Sequence, residues 1–240
     1  VHVMNNDDQA LADSIADDMA EYIWRVREEY VDQQFPMPKE AVQITKKAIA
    51  NQQTPVALGD YSDRPGDATW ILSELIDKEV GKVLYAALRD EFALEALKEQ
   101  NAQPGDLFSS KVGGITGEQA GPAVQIDGEV LFFGPQWGYD HVAAIGFGND
   151  NVLIITPTYE QIIRPESLRF GPINPDDFDV FVVKSRVHFR RGFDETGYAK
   201  TIQVVDAPGD WFGTIRINAL EYEFGPIDQL YPFNTETIDY

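Results

Sequence analysis

Lys184, Arg186, Arg190 and Arg191 fall within eight consecutive residues around His188, in a chain with only 19 lysines and arginines and a formal net charge of −21. The stretch reads VVKSRVHFRRGF and follows the apolar run DVFVV. An arginine fork matches a carboxylate or a phosphate. A helix starting near Val187 and running to about 196 would aim backbone N–H groups and its positive dipole end at the same anion. His188 could add a hydrogen bond to a substrate or to a developing oxyanion. The bland alternative is also physical: with 40 Asp and Glu present, the cations can pair locally, each exposed pair contributing about 0–1 kcal/mol. A lone histidine is more often a structural group than a base or a ligand.

A second constellation is Asp60-Tyr61-Ser62-Asp63-Arg64-Pro65-Gly66-Asp67, which follows the short apolar run TPVALGD. Its plain reading is a loop: Asp67 caps a helix, Pro65-Gly66 turns, and Asp60 and Asp63 bond the loop backbone. Its functional reading starts from position, because open α/β sheets bind ligands beyond the carboxyl ends of their strands. If the strands ending at Asp60 and Val183 are parallel in one sheet, both loops open on one edge. The loop after LFSSKV, with Lys111, Gly113 and Gly114, would join them. A floor of mixed charge suits a polar, carboxylate-bearing or amide substrate better than a dinucleotide.

Several chemistries lack their signatures. Neither G-x-G-x-x-G nor G-x-x-x-x-G-K-[ST] occurs, nor H-E-x-x-H, nor G-x-S-x-G. His2, His141 and His188 are dispersed, so no metal site is expected within this chain. There is no cysteine for a disulfide, a thiolate ligand or a nucleophile. Lys184 and Ser185 are neighbours on a strand and should point to opposite faces, which argues against a base–nucleophile pair.

The elements that must position these residues alternate. Helical periodicity runs over 7–31 through Leu11, Ile15, Met19, Tyr22, Val26 and Tyr30, with Asn5 or Asn6 as cap. FPMP at 35–38 stops it, and a second helix follows at about 38–51. Strands are expected at TPVALGD, KVLYAAL (82–88) and LFSSKV, with helices from Asp67 to about 79 and over 89–100. From 121 to 157 the chain turns strand-rich, with hairpin signals at Asp127-Gly128 and Asn149–Asn151. DVFVVKS and KTIQVVDAPG restore the earlier pattern, and the aromatic tail from 210 should wrap the surface. The expected class is α/β: a mixed sheet with crossover helices, an antiparallel hairpin excursion and an N-terminal helical arm. VHVM at the start looks like the end of a strand whose partner lies in a larger protein.

Composition narrows the rest. With 240 residues and 43% hydrophobic content, one large domain or two small ones can form. No run approaches the apolar length of a membrane span, and no signal peptide is recognisable. The acidity disfavours nucleic acid and anionic membranes alike. It serves solubility or a salt-adapted host. A cytoplasmic location is the expectation.

The motifs VVKSRVHFRRGF and VVDAPG (204–209) closely resemble the C-terminal region of the microcystinase C (MlrC) family. GDYSDRPGDAT is similar to that family's Asp- and Gly-rich segment, though shorter and without its central glycines. VMNNDDQALADSIADDMAEYIWRVR is similar to the junction after the family's N-terminal domain. The resemblance covers essentially the whole chain. It implies the C-terminal, substrate-side domain of a zinc-dependent peptidase or amidohydrolase, a family whose founding activity is cleavage of linearised microcystin. Zinc is then expected in an upstream domain, with none in this chain, which by itself would be inactive.

By the same motif match, the positions carried over are Asp60, Asp63, Asp67, Thr69, Lys184, Ser185, His188 and Arg190. His188, Asp60 and Asp63 are taken as catalytic, the two aspartates orienting His188 or supporting a ligand from the other domain. Lys184, Ser185, Arg186, Arg190, Asp67 and Thr69 are taken as substrate-binding, with Arg190 alternatively anchored to Asp63. The division expected is an arm and junction at 1–52 and an α/β domain at 53–240. The expected partners are the upstream metal-binding domain and a small peptide or amide substrate, with a homo-oligomer possible. The alternative is a non-catalytic binding or assembly module.

Overall fold

Eight stretches of the chain adopt strand geometry and join one sheet. They are β1 (Val56–Asp60), β2 (Val83–Arg89), β3 (Leu107–Val112), β4 (Val124–Gln136), β5 (Tyr139–Phe147), β6 (Asn151–Thr156), β7 (Val180–Val183) and β8 (Thr201–Val205), in the order β3-β4-β5-β6-β2-β7-β1-β8. This computed structural model describes residues 1–30, 35–61 and 63–208. The chain divides into two compact units, Val1–Gln34 with Arg216–Tyr240, and Phe35–Ile215. The aromatic tail lies outside the described residues.

Strands β6, β2, β7, β1 and β8 run parallel, whereas β3, β4, β5 and β6 pair antiparallel. The mixed α/β sheet is therefore as the sequence predicts. Every residue of VALGD and VFVV is buried, as a strand covered on both faces requires. One face carries the helices α2 (Pro38–Ala50), α3 (Trp70–Asp77) and α4 (Glu91–Glu99), packed through Ala41, Val42, Ile71, Leu72 and Leu94. The other face is covered by irregular chain and a short helix α5 (Arg190–Phe193), through Phe170, Phe178, Phe189 and Phe193.

Several expectations are corrected. Asp127-Gly128 does not turn. It lies inside β4, where a Cβ on Gly128 would stand 2.0 Å from the Gly146 carbonyl oxygen. Only a glycine permits that approach of two backbones. The turn is Trp137-Gly138, both at positive φ, as a tight hairpin demands. Helix α2, grouped on sequence with the arm, belongs to the unit of the sheet. The helix expected over 187–196 shrinks to the four residues of α5, interrupted at once by the turns around Gly197.

In the first unit, helix α1 (Gln9–Val26) is capped by Asp8, whose carboxylate accepts from Leu11 N at 3.0 Å, not by Asn5 or Asn6. Residues 1–4 form no strand. Among the residues described there, Leu11, Ile15, Met19 and Tyr22 are exposed.

On β8, Gln203 is 8% exposed and, among the described residues, neither polar atom of its side-chain amide has a partner. Its burial therefore carries a desolvation penalty of about 1–3 kcal/mol. Gln203→Met keeps the volume and removes the unpaired groups, so a rise of about 1 kcal/mol in unfolding free energy is expected. Urea denaturation checks it, and an unchanged midpoint would show that the amide is satisfied in solution.

Candidate functional site

β1 and β7 are adjacent and parallel, with Gly59 opposite Val183, and β2 flanks β7 with Ala86 opposite the same valine. Three carboxyl ends therefore meet on one edge, and the next residue after Val183 is Lys184. A Cβ on Gly59 would lie 2.4 Å from the Phe189 ring and 2.8 Å from the Ser185 carbonyl oxygen. The bare backbone at Gly59 thus lets the cationic loop fold down onto β1.

Lys184 is fully buried. Its ammonium stands 2.9 Å from Asp60 Oδ2, 2.6 Å from Asp63 Oδ2, 2.7 Å from the Ala68 carbonyl oxygen and 3.0 Å from Tyr85 Oη. Tyr85 in turn donates to the Ala68 carbonyl at 3.0 Å. The Asp63 carboxylate also accepts from Gly66 N at 2.7 Å and Ala68 N at 2.9 Å. A buried ion pair repays its desolvation only when such additional bonds satisfy the charges, and here they do.

Burial raises the Asp60 pKa to about 6; Lys184 opposes that rise and the negative Asp63 adds to it. Burial works against the charge on Lys184, but Asp60 and Asp63 together outweigh it and hold its pKa well above the ordinary lysine value. Burial likewise raises the Tyr85 pKa and keeps the phenol protonated.

The two loops predicted to lie side by side are thus in direct contact, but the contact changes what their residues can do. Lys184, expected to hold a substrate carboxylate, spends its protons on protein acceptors. Asp60 and Asp63, expected to orient His188, are occupied by the Lys184 ammonium instead.

Asp67 is also buried, and it does not cap α3. Its carboxylate accepts from Ile115 N and Thr116 N, both at 2.7 Å, and from the Thr116 hydroxyl at 2.9 Å. Gly114 N donates to the Asp67 carbonyl at 2.9 Å, and Gly113 N to Asp90 Oδ2 at 2.9 Å. The Gly113-Gly114 loop therefore does join the aspartate loop, although β3 belongs to the antiparallel part of the sheet. Lys111 stays exposed on its strand. Thr69, buried, donates its hydroxyl to the Ala120 and Pro122 carbonyls. Asp67 and Thr69 are thus tied to other loops of the sheet edge.

Around the buried lysine lies an accessible rim. The half-buried Arg186 donates from Nε to the Tyr61 carbonyl at 3.0 Å and stacks 4.5 Å over the Tyr61 ring, which packs on Phe35. His188 is exposed, with Nδ1 3.4 Å from Gln161 Oε1. Ser185 is buried, and its hydroxyl oxygen accepts from Phe189 N and Gln161 Nε2, both at 3.2 Å. It thus fixes the loop. Arg190 pairs with Asp194 at 2.7 Å, not with Asp63.

Residues absent from the sequence reading complete the arrangement. Tyr85 carried a usable signal, a lone hydroxyl in the buried run KVLYAAL, since a buried phenol needs a partner. Gln161 and Tyr159, whose hydroxyl donates to the Lys184 carbonyl at 2.6 Å, come from an irregular segment with no periodicity to mark them.

The arrangement presents a cationic and an imidazole group over a base in which one ammonium ties two carboxylates together, which suits binding and polarising a carboxylate or carbonyl oxygen. It does not suit a metal ion. Among the described residues no three His, Cys, Asp or Glu side chains converge as a ligand set, and the two carboxylates that come closest already enclose an ammonium. No described helix is long and apolar enough to cross a membrane.

No curated protein matches the chain. A crystal structure named "Putative metallopeptidase from Mesorhizobium sp. BNC1" matches 93% of this chain with a TM-score of 0.65 and 17% sequence identity. At that identity the likeness shows a shared fold. The match covers 45% of the other protein, so this chain spans less than half its length. The family described as MlrC C-terminus matches residues 58–216, from within β1 past β8, and so takes in both the aspartate loop and the cationic loop. The chain belongs to the MlrC C-terminus family.

Proposed function

We propose that this chain is the substrate-side domain of an MlrC-like, metal-dependent amide or peptide hydrolase whose metal is held by a separate N-terminal domain. The carrying observation is the position of Arg186 and His188, on a rim locked by the Lys184–Asp60–Asp63 network at the carboxyl ends of adjacent parallel strands. Family membership and the described metallopeptidase neighbour support the reaction class. The chemistry a zinc ion supplies in such an enzyme is activation of water and polarisation of the scissile carbonyl. On this reading, His188 donates a hydrogen bond to the substrate or to the developing oxyanion. Arg186 holds a polar substrate group. The Lys184 network keeps the loop beneath them from moving, and Asp60 and Asp63 act through it as positioning residues.

The test uses the protein that carries both halves, assayed on small amides and acyl-peptides with and without added zinc. Hydrolysis is expected only with zinc, and His188→Ala should lower kcat/KM at least about tenfold, in the range of a lost hydrogen bond to a charged group. Full activity in that variant would remove His188 from the reaction. A second reading, a non-catalytic assembly module, is favoured by the exposed apolar residues of α1. It predicts association of this chain with another polypeptide in gel filtration, and a monomer alone or mixed with its upstream half would count against it.

A further inference from the structure

Segments 161–164 and 188–192 lie against each other at two points. At the first, Gln161 meets Ser185 and His188. At the second, a Cβ on Gly192 would stand 2.3 Å from the Ile163 carbonyl oxygen and 2.8 Å from Arg164 Cα, so the two backbones touch. Beyond that contact opens a groove of about 770 Å³ lined by Arg164, Arg191, Glu166, Glu195 and Thr196. Elsewhere in this acidic chain, Arg89, Arg169 and Arg190 each pair with a carboxylate. Among the described residues, Arg164 and Arg191 form no ion pair with the acids that share their groove.

We infer that the groove is a subsite for a carboxylate, with Arg164 and Arg191 as its two anion-binding groups. Two guanidinium forks can take the two oxygens of one carboxylate. Glu166 and Glu195 make the lining neutral overall, which leaves a multiply charged phosphate chain largely uncompensated and favours a singly charged group. Position supplies the substrate class, and this part rests on the reading of the chain as a peptide hydrolase domain. Arg164 lies three residues from Gln161, and Arg191 three from His188. At about 3.3–3.6 Å per residue, the subsite begins within about 10 Å of His188. Two or three residues of an extended peptide cover that reach, so the preferred substrate carries a carboxylate no farther than that from the bond to be cleaved.

Binding to the 240-residue chain is measured by NMR titration, without turnover. The probes are three tripeptides: acetyl-Ala-Glu-Ala-amide, acetyl-Ala-Gln-Ala-amide, and acetyl-Ala-Gln-Ala with a free C-terminus. At least one carboxylate peptide should bind about tenfold more tightly than the neutral one, the range of a charge-assisted hydrogen bond. The internal and terminal arms identify which carboxylate is read. Arg164→Gln combined with Arg191→Gln should abolish the preference while leaving the thermal midpoint unchanged, since both side chains are exposed. Equal binding of all three peptides, no binding at millimolar concentration, or a preference that survives the double substitution would overturn the subsite. Selective binding that persists although the two-domain protein hydrolyses no amide would instead sink the peptidase reading and leave the carboxylate site standing.

Discussion

Lys184→Met is expected to lower the unfolding free energy by about 3–5 kcal/mol at pH 7, the range for removing one partner of a buried ion pair. The substitution is close in volume, so the loss is electrostatic. Asp60 and Asp63 remain buried beside each other without their shared cation, and the Ala68 carbonyl loses a donor. The pH dependence identifies the cause. In the variant Asp60 loses the cation that opposes the rise of its pKa, so its folded-state pKa climbs further above the unfolded one. The folded state then binds more protons, and stability increases as pH falls towards the ordinary carboxylate range. The deficit should therefore shrink between pH 7 and pH 4.5. Adding Asp60→Asn should also restore part of it at neutral pH. Urea unfolding across that range is the check, and a deficit independent of pH would assign the loss to packing.

The intact network has its own pH signature. Burial raises the Asp60 pKa to about 6, so its contribution is fully present below the ordinary aspartate value and is lost as pH rises through about 6. Lys184 is also raised. Its contribution is fully present below the ordinary lysine value and fades only as pH climbs through the still higher folded one. Stability should thus decline from pH 4 to 7 on account of Asp60, and again in strong alkali.

Asp67→Ala is expected to cost about 3 kcal/mol, because it leaves the N–H groups of Ile115 and Thr116 and the Thr116 hydroxyl without their acceptor, each at about 1 kcal/mol or more. Asp67→Asn keeps one acceptor oxygen and should lose roughly half as much. Hydrogen exchange locates the damage: the amides of Ile115 and Thr116 should lose protection first. Peptide binding to the folded variant should be nearly unchanged, since the carboxylate faces another loop. A stable variant that has lost binding would return Asp67 to the substrate.

The mixed sheet, its parallel half and the proximity of the two charged loops were all legible in the sequence. Apolar runs such as VALGD and VFVV need cover on both faces, and that requirement places Asp60 and Lys184 at their carboxyl ends. The family motif identified the same positions. What the residues do there was not legible, because side-chain partnership depends on packing between segments more than a hundred residues apart. Lys184 reads as a free cation in KSRVHFRR and becomes one only if nothing closes over it. Asp60, Asp63, Ala68 and Tyr85 all do. Asp127-Gly128 has the composition of a turn, yet the close approach of Gly146 puts that glycine inside a strand. Local chemistry in the sequence determined which groups reach this edge of the sheet. Tertiary packing decided which of them are neutralised beneath it and which remain on the rim, because burial forces each charge to find a partner.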